Sequence, residues 1–174
     1  MSLDIRPLRA TDREAWLPLW RGYLEFYQTA VPDEVTDETW RRLLDPAHTI
    51  GGFGAFDGDG RMIGIVHYLF HPVTWAAAER CYLEDLFVDP KARAKGAGRA
   101  LIEAVYRVAD QRRADQVYLA DGADERNGAQ ALRSRRPGDA FHQIPALTVE
   151  GRRLAALVRG TRTLQEAART RSIQ

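Results

Sequence analysis

One stretch of the chain, residues 80–112, constrains the fold more than any other part. An apolar, β-branched and aromatic run from Cys81 to Val88 predicts a strand, which Asp89-Pro90 ends. A basic loop with two glycines follows the strand. Beyond the loop, apolar residues recur at helical spacing from Leu101 to Ala109. The stretch therefore predicts a strand, a tight turn and a long helix in succession.

The basic loop has the sequence R-A-K-G-A-G-R over residues 93–99 and is suited to binding an anion. The first N–H groups of a helix have no partner within the helix, and the helix dipole adds partial positive charge there. Glycines allow an anion to approach the backbone closely. The sequence therefore predicts a phosphate-binding site between the strand and the helix.

Two common phosphate-binding motifs do not fit this loop. It lacks the Lys-Ser/Thr ending of a Walker A loop, and it lacks the third glycine of a dinucleotide fingerprint. Arg93, Gly96 and Gly98 instead resemble the acetyl-CoA signature of the GNAT superfamily of N-acetyltransferases, Arg/Gln-x-x-Gly-x-Gly/Ala. The preceding strand, L-E-D-L-F-V over residues 83–88, is equally typical of that superfamily.

The resemblance covers residues 1–118 and implies an α+β fold, the GNAT fold. In that fold a mixed, mostly antiparallel central sheet is flanked by helices. The order of predicted elements agrees with it: a short strand over 3–8, a helix opening in a capping box at Thr11 and Glu14, and a helix over 33–44. Two strands, over 49–56 and 62–70, are joined by a D-G-D-G hairpin turn.

The resemblance also implies acetyl-CoA as co-substrate and assigns residues to it. Backbone N–H groups of the central strand, at Leu86, Phe87 and Val88, would hold the pantetheine and the acetyl carbonyl. The loop and the helix start would hold the pyrophosphate. The residues implied there are Arg93, Ala94, Lys95, Gly96, Ala97, Gly98, Arg99 and Ala100.

The chemistry of acetyl transfer requires a general base, because an amine that is protonated near pH 7 must lose a proton before it attacks. The sequence Y-L-E-D over 82–85 resembles the corresponding motif of the diamine (spermidine/spermine-type) acetyltransferases and of a yeast subfamily acting on histones and polyamines. This resemblance implies Glu84 as the base and Asp85 as the group that attracts a cationic acceptor. Strand alternation predicts that the two carboxyls face opposite sides of the sheet. The alternative is that they are ordinary salt-bridged strand acids.

Two tyrosines of the first helix, Tyr23 and Tyr27, are implied as substrate contacts, because the family places this helix beside the acceptor site. Their spacing is also that of core residues, which is the alternative that the sequence favours. His67 and His71 lie in a predicted strand without cysteines or carboxylates at metal-ligand spacing. We expect no metal site, and we expect both histidines to be partly exposed and without a role.

Bulk composition limits the partners and the compartment. The net charge is +1, which gives no global field for nucleic acid or membrane, and no apolar run has bilayer length. A single cysteine, Cys81, suits a reducing environment. The composition therefore predicts a cytoplasmic protein without nucleic-acid or membrane partners, and the resemblance implies a homodimer.

Residues 119–174 form an atypical second segment that is rich in Arg, Ala and Gly. It contains no lysine and one aromatic residue, Phe141. The family instead continues with a helix containing L-Y-D-R-V-G, whose tyrosine protonates the leaving thiolate, and with a strand such as T-P-F-I-K-Y-R-R. Reading the codons shifted by one base after Tyr118 permits both motifs, within 128–136 and 139–147, and then a stop codon at Leu147-Thr148. Our hypothesis is that this segment is a frameshift product.

The sequence therefore predicts an N-acetyltransferase that moves acetyl from acetyl-CoA to a primary amine by direct attack. A polyamine, diamine or lysine-like acceptor is indicated. The alternative is a catalytically impaired CoA-binding or scaffold protein, since no tyrosine follows Tyr118. A nucleic-acid-binding arm in the second segment is disfavoured, because its arginines alternate with acids and small residues without aromatics.

Peptide mass mapping of protein expressed from the native gene tests the frameshift hypothesis. We expect peptides carrying the shifted motifs after Tyr118 and a chain that ends near residue 147. Peptides with the printed sequence over 139–147 would show that the segment is translated as written.

Overall fold

The computed structural model describes residues 3–92 and 96–118. The predicted second segment, 119–174, and the loop residues Arg93, Ala94 and Lys95 lie outside these ranges. Eight helices and strands make up the described part. They are β1 (Asp4–Pro7), α1 (Arg13–Phe26), α2 (Asp33–Leu44), β2 (Ile50–Phe56), β3 (Met62–His71), β4 (Arg80–Val88), α3 (Ala97–Gln111) and β5 (Gln116–Tyr118).

The five strands form one sheet in the order β1-β2-β3-β4-β5. The pairs from β1 to β4 are antiparallel, whereas β4 and β5 are parallel. Antiparallel neighbours follow short connections, and the parallel pair is joined through α3, as a crossover connection requires. The predicted α+β fold, with a mixed and mostly antiparallel sheet flanked by helices, is confirmed.

Helices cover both faces of the sheet, and each face has its own apolar core. One core contains Leu101 and Val105 of α3 against Val66 of β3, together with Cys81 of β4. The other contains the α1 and α2 tryptophans against Ile65. Neighbouring residues of β3 contribute to opposite cores because strand side chains alternate. Burial raises the pKa of the Cys81 thiol to about 12. Among the described residues, no helix combines the length and the apolarity needed to span a bilayer.

A glycine allows α1 to lie close to β4. A Cβ atom at Gly22 would be 2.9 Å from Cζ of the Phe87 ring, a distance that real Cβ contacts do not show. The missing side chain therefore lets the helix backbone approach the central strand. This close packing brings the next residue, Tyr23, beside the carboxylates of β4.

The start of α1 differs from the predicted capping box. Thr11 lies in a short 3-10 turn, Ala10–Asp12, and α1 begins at Arg13 without a side-chain hydrogen bond at its cap. The Thr11 prediction is wrong, because the carboxylate one residue later satisfies the donors of this turn. Asp12 accepts a hydrogen bond from the Arg9 backbone N–H at 2.7 Å.

Asp12 also forms a two-pronged ion pair that ties α1 to the first strand. Its oxygens accept hydrogen bonds from both terminal nitrogens of Arg6 in β1, at 2.7 and 2.9 Å. The Asp12 side chain is 8% exposed, so the pair is largely shielded from water. The Arg6 hydrogen bond lowers the pKa of Asp12 below its usual value.

We expect Asp12→Asn to lower the free energy of unfolding at pH 7 by about 1–3 kcal/mol, because it removes a charge-assisted pair. The folded-state pKa of Asp12 lies below the unfolded value of about 3.9. The stabilisation is therefore complete above that value, and it is lost as the pH falls through the folded pKa. Urea unfolding at pH 7 and pH 3 measures both effects.

Asp4→Asn is the matched control. Asp4 lies 3.9 Å from Nε of the same arginine but is exposed, so its loss should change stability by less than about 0.5 kcal/mol. Equal destabilisation by the two substitutions, or a D12N effect as large at pH 3 as at pH 7, would contradict the assignment.

Candidate active site

A β-bulge at Glu84 interrupts the central strand. In the β3–β4 register His67 is opposite Asp85 and Tyr68 is opposite Leu83, so Glu84 is an extra residue without a partner across the ladder. Leu83 belongs to the core on the α3 face, whereas Asp85 contacts residues on the α1 face. Strict alternation would place these two residues on one face. The alternation on which the prediction for Glu84 and Asp85 rests therefore fails at this point of the strand.

The Glu84 carboxyl is exposed at the surface of the described residues, but surrounding atoms still desolvate part of it. This desolvation raises the pKa of Glu84, and the negative charge of Asp85 raises it further. A carboxyl whose pKa is raised towards neutrality is a stronger proton acceptor than an ordinary glutamate.

The Asp85 side chain is 13% exposed and is held by two hydrogen-bonding partners. Its carboxylate accepts a hydrogen bond from the Tyr23 hydroxyl, and its Oδ2 lies 2.9 Å from Nδ1 of His67. Burial and the bond to Asp85 raise the pKa of Tyr23 well above its ordinary value. The Tyr23 hydroxyl therefore stays protonated and acts as a donor.

His67 is a candidate site residue that the sequence did not predict. It is 1% exposed, and its Nε2 lies 3.0 Å from the indole Nε1 of Trp16 in α1. The expectation that it is a partly exposed residue is wrong, because its ring is enclosed between the Trp16 indole and the partly buried Asp85 carboxylate. The pairing of His67 with Asp85 depends on the bulge, which no local sequence signal marked. His71 is partly buried, and its Nε2 lies 2.6 Å from the Tyr118 hydroxyl.

The aromatic residues of α1 change from core to surface along the helix. Trp16 and Trp20 are buried, Tyr23 is partly buried, and Tyr27 at the helix end is 52% exposed. The rings of Tyr23 and Tyr27 are 4.9 Å apart. The two tryptophans are thus core residues, whereas Tyr23 and Tyr27 lie between Asp85 and the surface.

An open edge of β4 begins where the parallel pairing ends. Within the described ranges, β5 pairs only with Arg80–Tyr82. The next residues pair with β3 on one side, so alternate backbone groups of Leu86, Phe87 and Val88 point away from it without a described strand partner. Backbone groups of this kind can hydrogen-bond an extended ligand.

The helix α3 starts earlier than predicted. It begins at Ala97, so Gly98 and Arg99 belong to its first turn and not to the loop. Gly96 precedes it with φ of +79°, a left-handed conformation that favours glycine, and a Cβ there would meet nothing within 4 Å. This open space and the helix start suit a phosphate group.

The residues of the first α3 turn differ in what they can offer to a phosphate. The Ala100 N–H already donates to the Gly96 carbonyl at 3.0 Å, so the available N–H groups are those of the three preceding residues. The Ala97 side chain is buried in the core. The Arg99 side chain donates to Glu103 at 2.8 Å and is exposed. Across the described ranges, no cluster of three metal-ligating side chains occurs.

The comparisons with known proteins agree on one family. The sequence model of the acetyltransferase (GNAT) family matches residues 14–135. A D-amino-acid N-acetyltransferase of Saccharomyces cerevisiae is 42% identical over 66% of this chain and 71% of its own. An uncharacterized N-acetyltransferase of Bacillus subtilis is 28% identical over 72% of this chain and 93% of its own.

Solved structures share the fold. A ribosomal-protein-alanine N-acetyltransferase of Brucella melitensis superimposes with a TM-score of 0.57 at 24% identity, covering 68% of this chain and 80% of the other. An aminoglycoside N-acetyltransferase in complex with CoA gives 0.59 at 24% identity, covering 69% and 77%.

The expected likeness to diamine and polyamine acetyltransferases is not confirmed, because the 42% identical relative is a D-amino-acid N-acetyltransferase. The family itself is shown by the length of the matched region and by that identity. The chain therefore belongs to the acetyltransferase (GNAT) family and is an N-acetyltransferase that uses acetyl-CoA as its co-substrate.

Proposed function

We propose that this chain acetylates a primary amine by direct attack on acetyl-CoA, with Glu84 as the general base. The amine nitrogen forms a bond to the acetyl carbonyl carbon, and the carbon–sulfur bond to CoA breaks. The proton leaving the nitrogen goes to Glu84, directly or through one water. The electron pair of the broken bond goes to sulfur, and the CoA thiolate takes up the second proton that the nitrogen loses, through solvent. The products are the acetylamide and the CoA thiol.

One observation carries this proposal: the bulge puts Glu84 next to the open edge of β4. The pKa of Glu84 is raised, and Asp85 and Tyr23 lie beside Glu84. A base of this kind needs a reacting amine within hydrogen-bonding reach, and the open edge gives the acetyl group a place at the same strand.

The binding of acetyl-CoA follows the same geometry. In the proposal, Leu86, Phe87 and Val88 hold the pantetheine and polarise the acetyl carbonyl through backbone N–H groups. The pyrophosphate lies at the start of α3, on the N–H groups of Ala97, Gly98 and Arg99 beside Gly96. The loop residues Arg93, Ala94 and Lys95, which lie outside the described residues, would add positive charge.

Two acceptor classes have support. The 42% identical relative favours the amino group of a D-amino acid. The adjacent carboxylates Glu84 and Asp85 favour a cationic amine of the polyamine, diamine or lysine type. Tyr23 and Tyr27 would contact either acceptor on the way from the surface to Asp85.

An acceptor panel tests the reaction. We expect amine-dependent release of the CoA thiol from acetyl-CoA with at least one of D-amino acids, spermidine, diamines or a lysine peptide. L-amino acids serve as the matched control for chirality. CoA binding without turnover of any amine would refute the proposal and support a CoA-binding scaffold.

We expect Glu84→Gln to lower kcat by about 10²–10⁴-fold, because a general base of this kind contributes that factor. The KM for acetyl-CoA should stay unchanged. In the wild type, activity should rise with pH through a pKa above the ordinary glutamate value of about 4.3, and this acid limb should disappear in E84Q. Steady-state kinetics from pH 5 to pH 9 measures both effects.

The same substitution should stabilise the fold at alkaline pH. A folded pKa above the unfolded one means that the ionised form destabilises the folded state, so E84Q should unfold at a higher temperature than the wild type at pH 8 but not at pH 4. Glu79→Gln, an exposed acid just before β4, is the control. A kcat loss in E79Q as large as in E84Q would contradict the assignment.

The location and assembly remain proposals from the sequence. The single buried cysteine supports a cytoplasmic location, and the family resemblance supports a homodimer. The division into a core of 1–118 and a frameshifted segment of 119–174 also stays a proposal.

A further inference from the structure

We propose that His67 is a positioning residue: fixed as a neutral ring by Trp16, it holds Asp85 as the anionic site for the ammonium group of the acceptor. The inference rests on the proposed function and adds Trp16 and His67 to the acceptor site.

The neighbours of His67 determine which of its ring nitrogens carries the proton. The indole N–H of Trp16 can only donate, so Nε2 of His67, 3.0 Å away, must accept. Nδ1 then carries the ring proton and donates to Asp85 at 2.9 Å. A protonated ring would direct a second N–H at the indole N–H. Trp16 has no exposed surface, so its indole N–H cannot donate to water instead. The arrangement therefore requires a neutral ring.

Two tryptophan rings hold the imidazole of His67 in place. The Trp16 and Trp20 rings pack against His67 at centroid distances of 6.0 and 5.5 Å. Trp20 is in turn within 3.4 Å of the Thr36 hydroxyl in α2. The imidazole is thus fixed between β3 and two helices, and the Nδ1–H can point only at Asp85.

The partners of the Asp85 carboxylate in the described residues are neutral donors. Its two assigned partners are the His67 ring and the Tyr23 hydroxyl. In the described ranges, no arginine or lysine forms an ion pair with Asp85. A carboxylate that is 13% exposed gains from a cationic partner, because low solvent access makes an uncompensated charge costly.

An ammonium group matches this requirement. D-amino acids, polyamines and lysine side chains all arrive protonated at neutral pH, so Asp85 would attract the cation in each case. Glu84, one residue away on the bulge, would then take the proton that the nitrogen must lose. Asp85 binds the charged acceptor, whereas Glu84 acts only in the chemical step.

Steady-state kinetics of three histidine variants tests the inference, using an amine that the wild type acetylates. His67→Leu removes the donor to Asp85, and we expect the acceptor KM to rise about 10–100-fold, the range for losing a hydrogen bond to a charged group. The acetyl-CoA KM should not change. His67→Gln offers one donor and one acceptor and should keep the acceptor KM within about threefold of the wild type.

His71→Gln is the matched control, because His71 lies on the same strand and pairs with Tyr118 instead of Asp85. It should leave both KM values unchanged. If H67L raised the two KM values equally, or lowered only the unfolding temperature, His67 would be a structural residue and the inference would be overturned.

Trp16→Phe gives a second test that does not need H67L to fold. Without the indole donor, either nitrogen of the His67 ring can carry the proton, so the donor to Asp85 is no longer fixed. The acceptor KM of W16F should therefore be about 3–10-fold above the wild-type value, with the acetyl-CoA KM unchanged. An unchanged acceptor KM in a folded W16F would overturn the inference.

Nitrogen-15 NMR of the histidine rings separates this inference from the proposed function. In the wild-type chain without ligand, His67 should show the neutral form protonated on Nδ1 at pH 7. An imidazolium, or a ring protonated on Nε2, would overturn the inference even in an active enzyme. The expected tautomer in a chain that acetylates no amine would leave the His67 geometry supported and refute only the proposed function.

Discussion

The extra residue in β4 is the constraint on which the candidate site depends. Without the bulge at Glu84, Asp85 would share a face with Leu83 and would belong to the apolar core beneath α3. One inserted residue turns the following carboxylate to the α1 face, where Tyr23 and His67 can donate to it. The bulge thus directs a carboxylate of an otherwise largely apolar strand towards polar partners on the α1 face.

The same arrangement works against the stability of the fold. Both carboxyls are desolvated or crowded by like charge, and neutral donors are the partners that the surrounding residues supply to Asp85. Burying charge without a counter-charge is unfavourable, so the fold keeps this charge only because the packing of α1 and α2 against the sheet holds the donors in place. Strain of this kind is common where a protein binds a charged ligand.

The sequence was sufficient for the fold and for the turn before α3, but not for the surroundings of Asp85. Apolar periodicity predicted α2 and the strands closely, and the glycine pattern around Gly96 predicted the turn before α3. Alternation failed at Glu84, because a bulge depends on pairing with β3 and leaves no mark in local sequence. His67 was missed for the same reason: its partners, Trp16 and Asp85, are distant in sequence and meet only through tertiary packing.

The buried Cys81 makes the native chain a convenient starting point for site-directed labelling. It is the only cysteine in the sequence, it has no exposed surface, and its raised pKa keeps the thiol protonated. Maleimides and other thiol reagents react with exposed thiolates, so they should leave the folded chain unmodified. A cysteine introduced near Tyr27 would then be the sole reactive thiol, and a fluorophore placed on it would report acceptor binding without prior mutation of the core.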